Sequence, residues 1–256
     1  MADSDSSSAR SLNPRKSLGM AFGGIVLLLA GGLAGWLFET NRSQPSTPDN
    51  KAAIEQVVRN YILDHPEILP EAMERLRDRE MKKQLAGVAD LVEAPFPGAV
   101  LGNPQGKITL VEFTDYACSF CRQSVADVEA LIAANPDLKV VVRDLPILSP
   151  ASTEAARMAL AAAEQGRFAA FHKAMFAIGR PNSQTIAAAA EAAGIDMARA
   201  RQAIANPRID AEINKNLQFA RQLGFEGTPS WVIGDVLMSG AVGQQQLAKA
   251  IAEARS

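Results

Sequence analysis

The sequence predicts an α/β domain with a helical insertion, carried behind a short helical segment and an apolar N-terminal run. Three observations predict it. A β-type run, residues 108–113, leads into the pair Cys118 and Cys121 and then into a helix-period segment, with a second β-run at 138–142. Helix-period segments at 154–165, 167–178, 184–193 and 197–205 follow, with one more helix that holds Ile213, Leu217, Phe219 and Leu223, and each meets a Gly or Asn-Pro stop. Gly227-Thr228-Pro229 then opens two short apolar runs around Gly234-Asp235, a hairpin signal, ahead of a last helix over 244–254.

The 256 residues are enough for one sizeable core with attachments. Lys and Arg number 26 against 28 Asp and Glu, a net charge of −2 with both signs spread along the chain. No basic stripe or aromatic-basic motif appears, which argues against nucleic acid. Residues 1–17 are polar and Ser-rich and are expected to form a disordered cytoplasmic tail. Residues 18–38 follow, 21 positions without a charge, long enough to span a bilayer. Arg10, Arg15 and Lys16 precede that run and Arg42 alone lies close after it, so the positive-inside rule puts the body outside the cytoplasm. The expectation is a single-pass inner-membrane anchor with the catalytic domain in the periplasm. The alternative is a cleaved signal peptide, with Gly32 and Ala34 near the cleavage point, and a soluble periplasmic product. Either way the cysteines face a compartment where disulfides persist.

Residues 39–50 read as a linker, with Ser, Thr, Gln and two prolines. Residues 51–90 read as a helical segment. Ile54, Val57, Val58, Tyr61 and Ile62 form one apolar stripe, and a second helix starts near Pro70 and runs toward Leu85. Such a pair has too few residues to bury its own stripe, so it either packs on the catalytic domain or pairs with other copies of the chain, the second being the favoured reading. His65 reads as a turn residue.

The catalytic domain is expected over 91–256, with the helical insertion at about 150–207. The Pro- and Gly-rich stretch 91–104 reads as a boundary and a hairpin-like lead-in, Val100-Leu101 before a turn and 107–113 after it. In that second strand Ile108 and Leu110 face one way and Val111 and Phe113 the other, the mark of a strand covered on both sides. Glu112 shares the Ile108 face. A carboxylate there is costly unless neutral, paired or hydrated. It reads either as a wet strand end or as a partly buried acid that moves protons for the thiols. His172 reads as a packed or surface helical residue. Met158, Met175 and Met197 read as core fillers.

Cys118 and Cys121 are the chain's only cysteines. At a strand-to-helix junction the first sulfur meets unpaired N–H groups and the positive end of the helix dipole, which stabilise a thiolate. The second lies about one turn on and is placed to resolve a mixed disulfide. A structural zinc site needs four ligands, and the two histidines lack suitable spacing. A purely structural disulfide would close too small a loop to stabilise much. Cu(I) held between two thiolates is chemically sound and stands as the rival reading.

Phe113-Thr114-Asp115-Tyr116-Ala117-Cys118-Ser119-Phe120-Cys121 together with Gly227-Thr228-Pro229-Ser230-Trp231 resembles the DsbA-like branch of the thioredoxin superfamily, from about Ala99 onward. The N-terminal helices, with Ile62 through Leu69, are similar to the ScsC-like subgroup, some of whose members oligomerise through this region. The resemblance implies a thioredoxin fold and thiol:disulfide oxidoreductase or disulfide isomerase activity. It implies no cofactor beyond a redox-active Cys118–Cys121 disulfide. Cys118 resembles the exposed nucleophile, Cys121 the buried resolving thiol, Thr228-Pro229 the cis-proline loop and Glu112 the buried acid. The expected partners are unfolded or misoxidised exported proteins and a membrane redox partner, either a quinone-linked oxidant or a thiol-supplying reductant. Ser119 and Phe120 depart from the family's common proline and from the histidine of its strongly oxidising members.

Overall fold

The computed structural model describes residues 48–255. The chain divides into two compact units, Met1–Glu71 and Ala72–Ser256. The span expected at 18–38 and most of the linker lie outside the described residues. The expected single-pass inner-membrane placement is corrected: among the described residues no helix is long and apolar enough to cross a membrane.

In the first unit α1 covers Pro48–Asp64, and after a short turn comes α2, Ile68–Ala86, whose first turn belongs to the first unit and whose remainder belongs to the second. The apolar stripe is present but open to solvent, with Val57 68% and Ile54 62% exposed. His65 sits in the turn, its Nδ1 3.3 Å from Glu67 Oε1.

The second unit continues with α3 (Ala89–Glu93), β1 (Val100–Gly102), β2 (Ile108–Thr114), α4 (Ser119–Ala134) and β3 (Leu138–Asp144). The insertion follows as α5 (Pro150–Ala163), α6 (Phe168–Ile178), α7 (Ser183–Ala192) and α8 (Met197–Ile204). Then come α9 (Pro207–Gln222), β4 (Ser230–Ile233), β5 (Val236–Ser239) and α10 (Gln244–Ala254). The five-stranded sheet runs β1-β3-β2-β4-β5. Only β2 and β3 are parallel, joined through α4, with Glu112 beside Val142 and Thr114 beside Asp144.

The expected hairpin between 100–101 and 107–113 does not form. β1 pairs antiparallel with β3, Val100 against Val141. Both edges of β2 are already taken, by β3 and β4. The intervening turn is instead tied to the start of β3: the Asn103 N–H donates to the Leu138 carbonyl and Asn103 Nδ2 to the Pro136 carbonyl, each at 2.9 Å. Gly102, at φ 73, is required there, because a Cβ would come within 2.6 Å of the Leu138 carbonyl.

The alternation read in β2 holds. Ile108 and Leu110 join Val140, Val142, α4 and the insertion in one apolar cluster. Val111 and Phe113 join Val141, Phe219, Leu223 and Phe225 in the other. The insertion helices start where local chemistry says they should. Ser149 caps α5 ahead of Pro150, Asn182 and Thr185 form a capping box on α7, and Asn206 caps α9 ahead of Pro207. α9 carries Ile213, Leu217 and Phe219 as expected, and it starts at Pro207, because the Asn-Pro read as a stop for one helix is also the start of the next. The hairpin about Gly234 forms as expected, Ile233 against Val236.

Candidate active site

Strand β2 ends at Thr114, and the following loop delivers Cys118 to the front of α4. Cys118 is the N-cap, with extended backbone at φ −79 and ψ 121, one step before the first helical turn. Its sulfur occupies the place of a capping side chain: the Cys121 N–H donates to Cys118 Sγ at 3.4 Å. From the other side Cys118 Sγ donates to the Thr228 carbonyl at 3.2 Å. The Thr228–Pro229 bond is cis, as the loop's resemblance implied. Both cysteines are free thiols.

Cys118, read as the exposed cysteine, is only 6% exposed as a residue, against 0% for Cys121. Its access is through a cleft of about 580 Å³, lined by Cys118, Phe120, Leu148, Gly227 and Thr228 together with Arg122 and Arg180. Phe120 stands out beside it, 58% exposed.

Glu112 is buried on the face of β2 that carries Ile108 and Leu110, so it is no wet strand end. Burial raises its pKa from 4.5 to about 8, with the Thr114 side chain offsetting part of the effect. Burial likewise pushes the Cys121 thiol up to about 12, and the Glu112 charge adds to the rise. Both groups therefore hold their protons at neutral pH. Asp144 lies on the same face of the sheet, opposite Thr114. It is buried, neither carboxylate oxygen has a hydrogen-bond partner, and burial together with Asp115 and Glu112 holds its pKa well above the usual range.

Other parts of the frame escaped the sequence reading. Asp115 is buried and acts as a clamp: Oδ1 accepts from the Ala117 N–H at 2.8 Å, and Oδ2 accepts from Ile147 and Leu148 N–H, each at 2.9 Å. It fixes the cysteine loop to the loop after β3. The Asp two residues before a small residue is an Asx-turn signal that could have found the first contact; the other two are set by tertiary structure alone. Tyr116 OH lies 3.2 Å from His172 Nδ1 within a cluster containing Phe168, Phe171 and Phe176. His172 is thus packed, as expected, and burial lowers its pKa to about 4, which keeps it neutral. Arg143 is buried beneath the opposite face. It donates to the Val92, Leu91 and Ala94 carbonyls, to Asn216, and to Glu212 at 3.0 Å. Among the described residues no three His, Cys, Asp or Glu side chains converge as metal ligands.

A family model for the DSBA-like thioredoxin domain matches residues 109–252. The chain belongs to that family. DsbA-like proteins of this fold are thiol:disulfide oxidoreductases that act through a redox-active disulfide and need no cofactor. A second family model, the copper resistance protein ScsC N-terminal domain, matches residues 50–83.

Solved DsbA-like structures agree. A thioredoxin-like oxidoreductase from Silicibacter pomeroyi is 41% identical, covers 61% of this chain and 91% of its own, and has a TM-score of 0.59. A linker-deleted variant of Proteus mirabilis ScsC is 25% identical, covers 83% of this chain and 99% of its own, and has a TM-score of 0.65. A periplasmic thioredoxin-like protein from Salmonella enterica serovar Typhimurium is 29% identical, covers 65% of this chain and 95% of its own, with a TM-score of 0.60. Among curated relatives, the Na(+)/H(+) antiporter NhaA 1 of Salinispora arenicola is 27% identical over 173 residues, 66% of this chain and 26% of that protein. The chain therefore matches about a quarter of the length of that relative.

Proposed function

We propose that the protein is a periplasmic thiol–disulfide oxidoreductase that exchanges disulfides with exported proteins, Cys118 forming the mixed disulfide and Cys121 resolving it. The observation that carries this reading is the asymmetry of the pair: Cys118 Sγ lines an open cleft at a helix N-cap, while Cys121 sits behind it with no exposure. The periplasmic placement draws on the relative from Salmonella enterica named as periplasmic.

In the oxidising direction a substrate thiolate attacks Cys118 Sγ. The Cys118–Cys121 bond breaks, and Cys121 leaves as a thiolate that takes up a proton. A second substrate thiolate then attacks the mixed disulfide at the substrate sulfur and releases Cys118. Two electrons pass to the protein. Glu112, protonated up to about pH 8 on the face beneath α4, is the donor for Cys121 and the acceptor when the exchange runs backward. The Thr228 backbone beside Cys118, ahead of Pro229, offers an extended substrate chain a strand-like edge. The direction is set by a membrane redox partner, a quinone-linked oxidant or a thiol-supplying reductant.

The open stripe on α1 supports self-association, which would set several sites around one misoxidised chain and suits isomerisation. Light scattering checks it: an oligomer that falls to monomer on Val57→Asp fits, and a monomeric parent protein removes the basis.

A second reading, Cu(I) held by Cys118 and Cys121, is favoured by the match to an N-terminal domain named for copper resistance. Reductive precipitation of insulin and refolding of scrambled ribonuclease, set against Cu(I) titration of the reduced protein, separate the two. Thiol exchange in either assay supports the oxidoreductase. Tight copper retention with no exchange supports the rival.

A further inference from the structure

The exchange chemistry leaves two cations at the cleft without a task. Arg122, one turn into α4 from Cys118, and Arg180, just past the end of α6, both line it. Among the described residues neither guanidinium has an ion pair or a hydrogen bond. At Arg180 only the backbone carbonyl is engaged, accepting from the Thr185 hydroxyl at 2.9 Å. No carboxylate lines the cleft. Of the acids nearest in sequence, Asp115 is turned inward onto three backbone N–H groups, and Glu226, exposed next to Gly227, is not among the residues that line the cleft. The chain as a whole carries −2, so this positive lining is local. It lies beside apolar surface, Phe120 at 58% and Leu148 at 51% exposure.

We propose that this cleft selects polypeptide segments that carry Asp or Glu within a few residues of the reacting cysteine, with Arg122 and Arg180 taking the carboxylates and Phe120 and Leu148 taking an apolar neighbour. A guanidinium binds a carboxylate through paired N–H groups, so an acidic flank gains orientation as well as attraction. Apolar walls lower the local dielectric and strengthen the pairing, and the cations steer an anionic segment toward the sulfur. A Lys-flanked cysteine meets like charge and no acceptor, which is discrimination by repulsion. The inference rests on the exchange reading.

The test uses the protein with its Cys118–Cys121 disulfide formed and three dithiol peptides, identical except that the cysteines are flanked by Glu, Gln or Lys. The rate of peptide disulfide formation is followed by acid quench and mass spectrometry. The Glu peptide is expected to react about tenfold faster than the Lys peptide at low ionic strength, a margin that shrinks as salt is added. In the double variant Arg122→Ala with Arg180→Ala the Glu-to-Lys ratio is expected to fall to about one. Equal rates for all three peptides with the parent protein overturn the inference and leave the exchange reading standing. No oxidation of any peptide removes the exchange reading itself. Slowing of all three by the same factor in the double variant shows that the arginines act on the cysteine pair, and also overturns the inference.

Discussion

Glu112 is the residue on which pH dependence turns. Unfolded, its carboxyl titrates near 4.5; folded, burial holds the proton to about 8. The folded state thus binds the proton more tightly, so the stability linked to Glu112 is full below about pH 4.5 and is lost as pH rises through about 8. At about 1.4 kcal/mol per unit the loss is on the order of 5 kcal/mol. Glu112→Gln keeps the volume and removes the titration. Denaturant unfolding of the reduced protein across that range is expected to give a visibly flatter slope, with Asp144 supplying what remains. An unchanged slope would contradict the assignment. Phe120 sets the second residue-scale expectation. It offers Cys118 neither a cation nor an N–H, so the reduced form is less favoured than in relatives with histidine there. The protein is expected to be a milder oxidant than those relatives, and Phe120→His to raise the reduction potential. Equilibration with glutathione measures both, and a parent potential as high as theirs would sink the argument.

At the scale of elements, the site depends on one loop being held against another. Asp115 joins the turn before α4 to the segment after β3 through three N–H groups. Asp115→Ala leaves those donors with no partner and is expected to destabilise the protein by about 2–5 kcal/mol. Because the same loops carry Cys118 and Leu148, exchange is expected to slow even under conditions where the variant stays folded. Thermal unfolding paired with the insulin assay checks both, and a loss below about 0.5 kcal/mol would mean the clamp is dispensable. The elements themselves were legible where local chemistry decides them: the alternation in β2, the Gly234 turn, and the capped helices of the insertion. The partner of β1 was not legible. Nearness in sequence favoured a hairpin with β2, but β2 had already spent both edges on β3 and β4, and only the assembled sheet reveals that.

For the molecule as a whole, Glu112 and the cysteine pair are close in sequence, and the Thr228-Pro229 loop, 110 residues on from Cys118, meets them at the front of α4. The Cys-x-x-Cys spacing picked out the sulfurs, and the family resemblance supplied the roles of Thr228-Pro229 and Glu112. Asp144, Arg143 and the contact between Tyr116 and His172 were not legible, because a buried polar side chain looks like a solvated one until the layers close over it. The degree of access to Cys118 was misjudged for the same reason: its cover comes from Thr228, distant in sequence. The account stands on the division of labour between the two sulfurs. Its most direct test is to incubate Cys121→Ser and Cys118→Ser with disulfide-bearing exported proteins and compare the covalent adducts by non-reducing electrophoresis and peptide mapping. Adducts on Cys118 should accumulate in Cys121→Ser and be absent from Cys118→Ser. Adducts of equal yield in both variants, or none in Cys121→Ser, would contradict it.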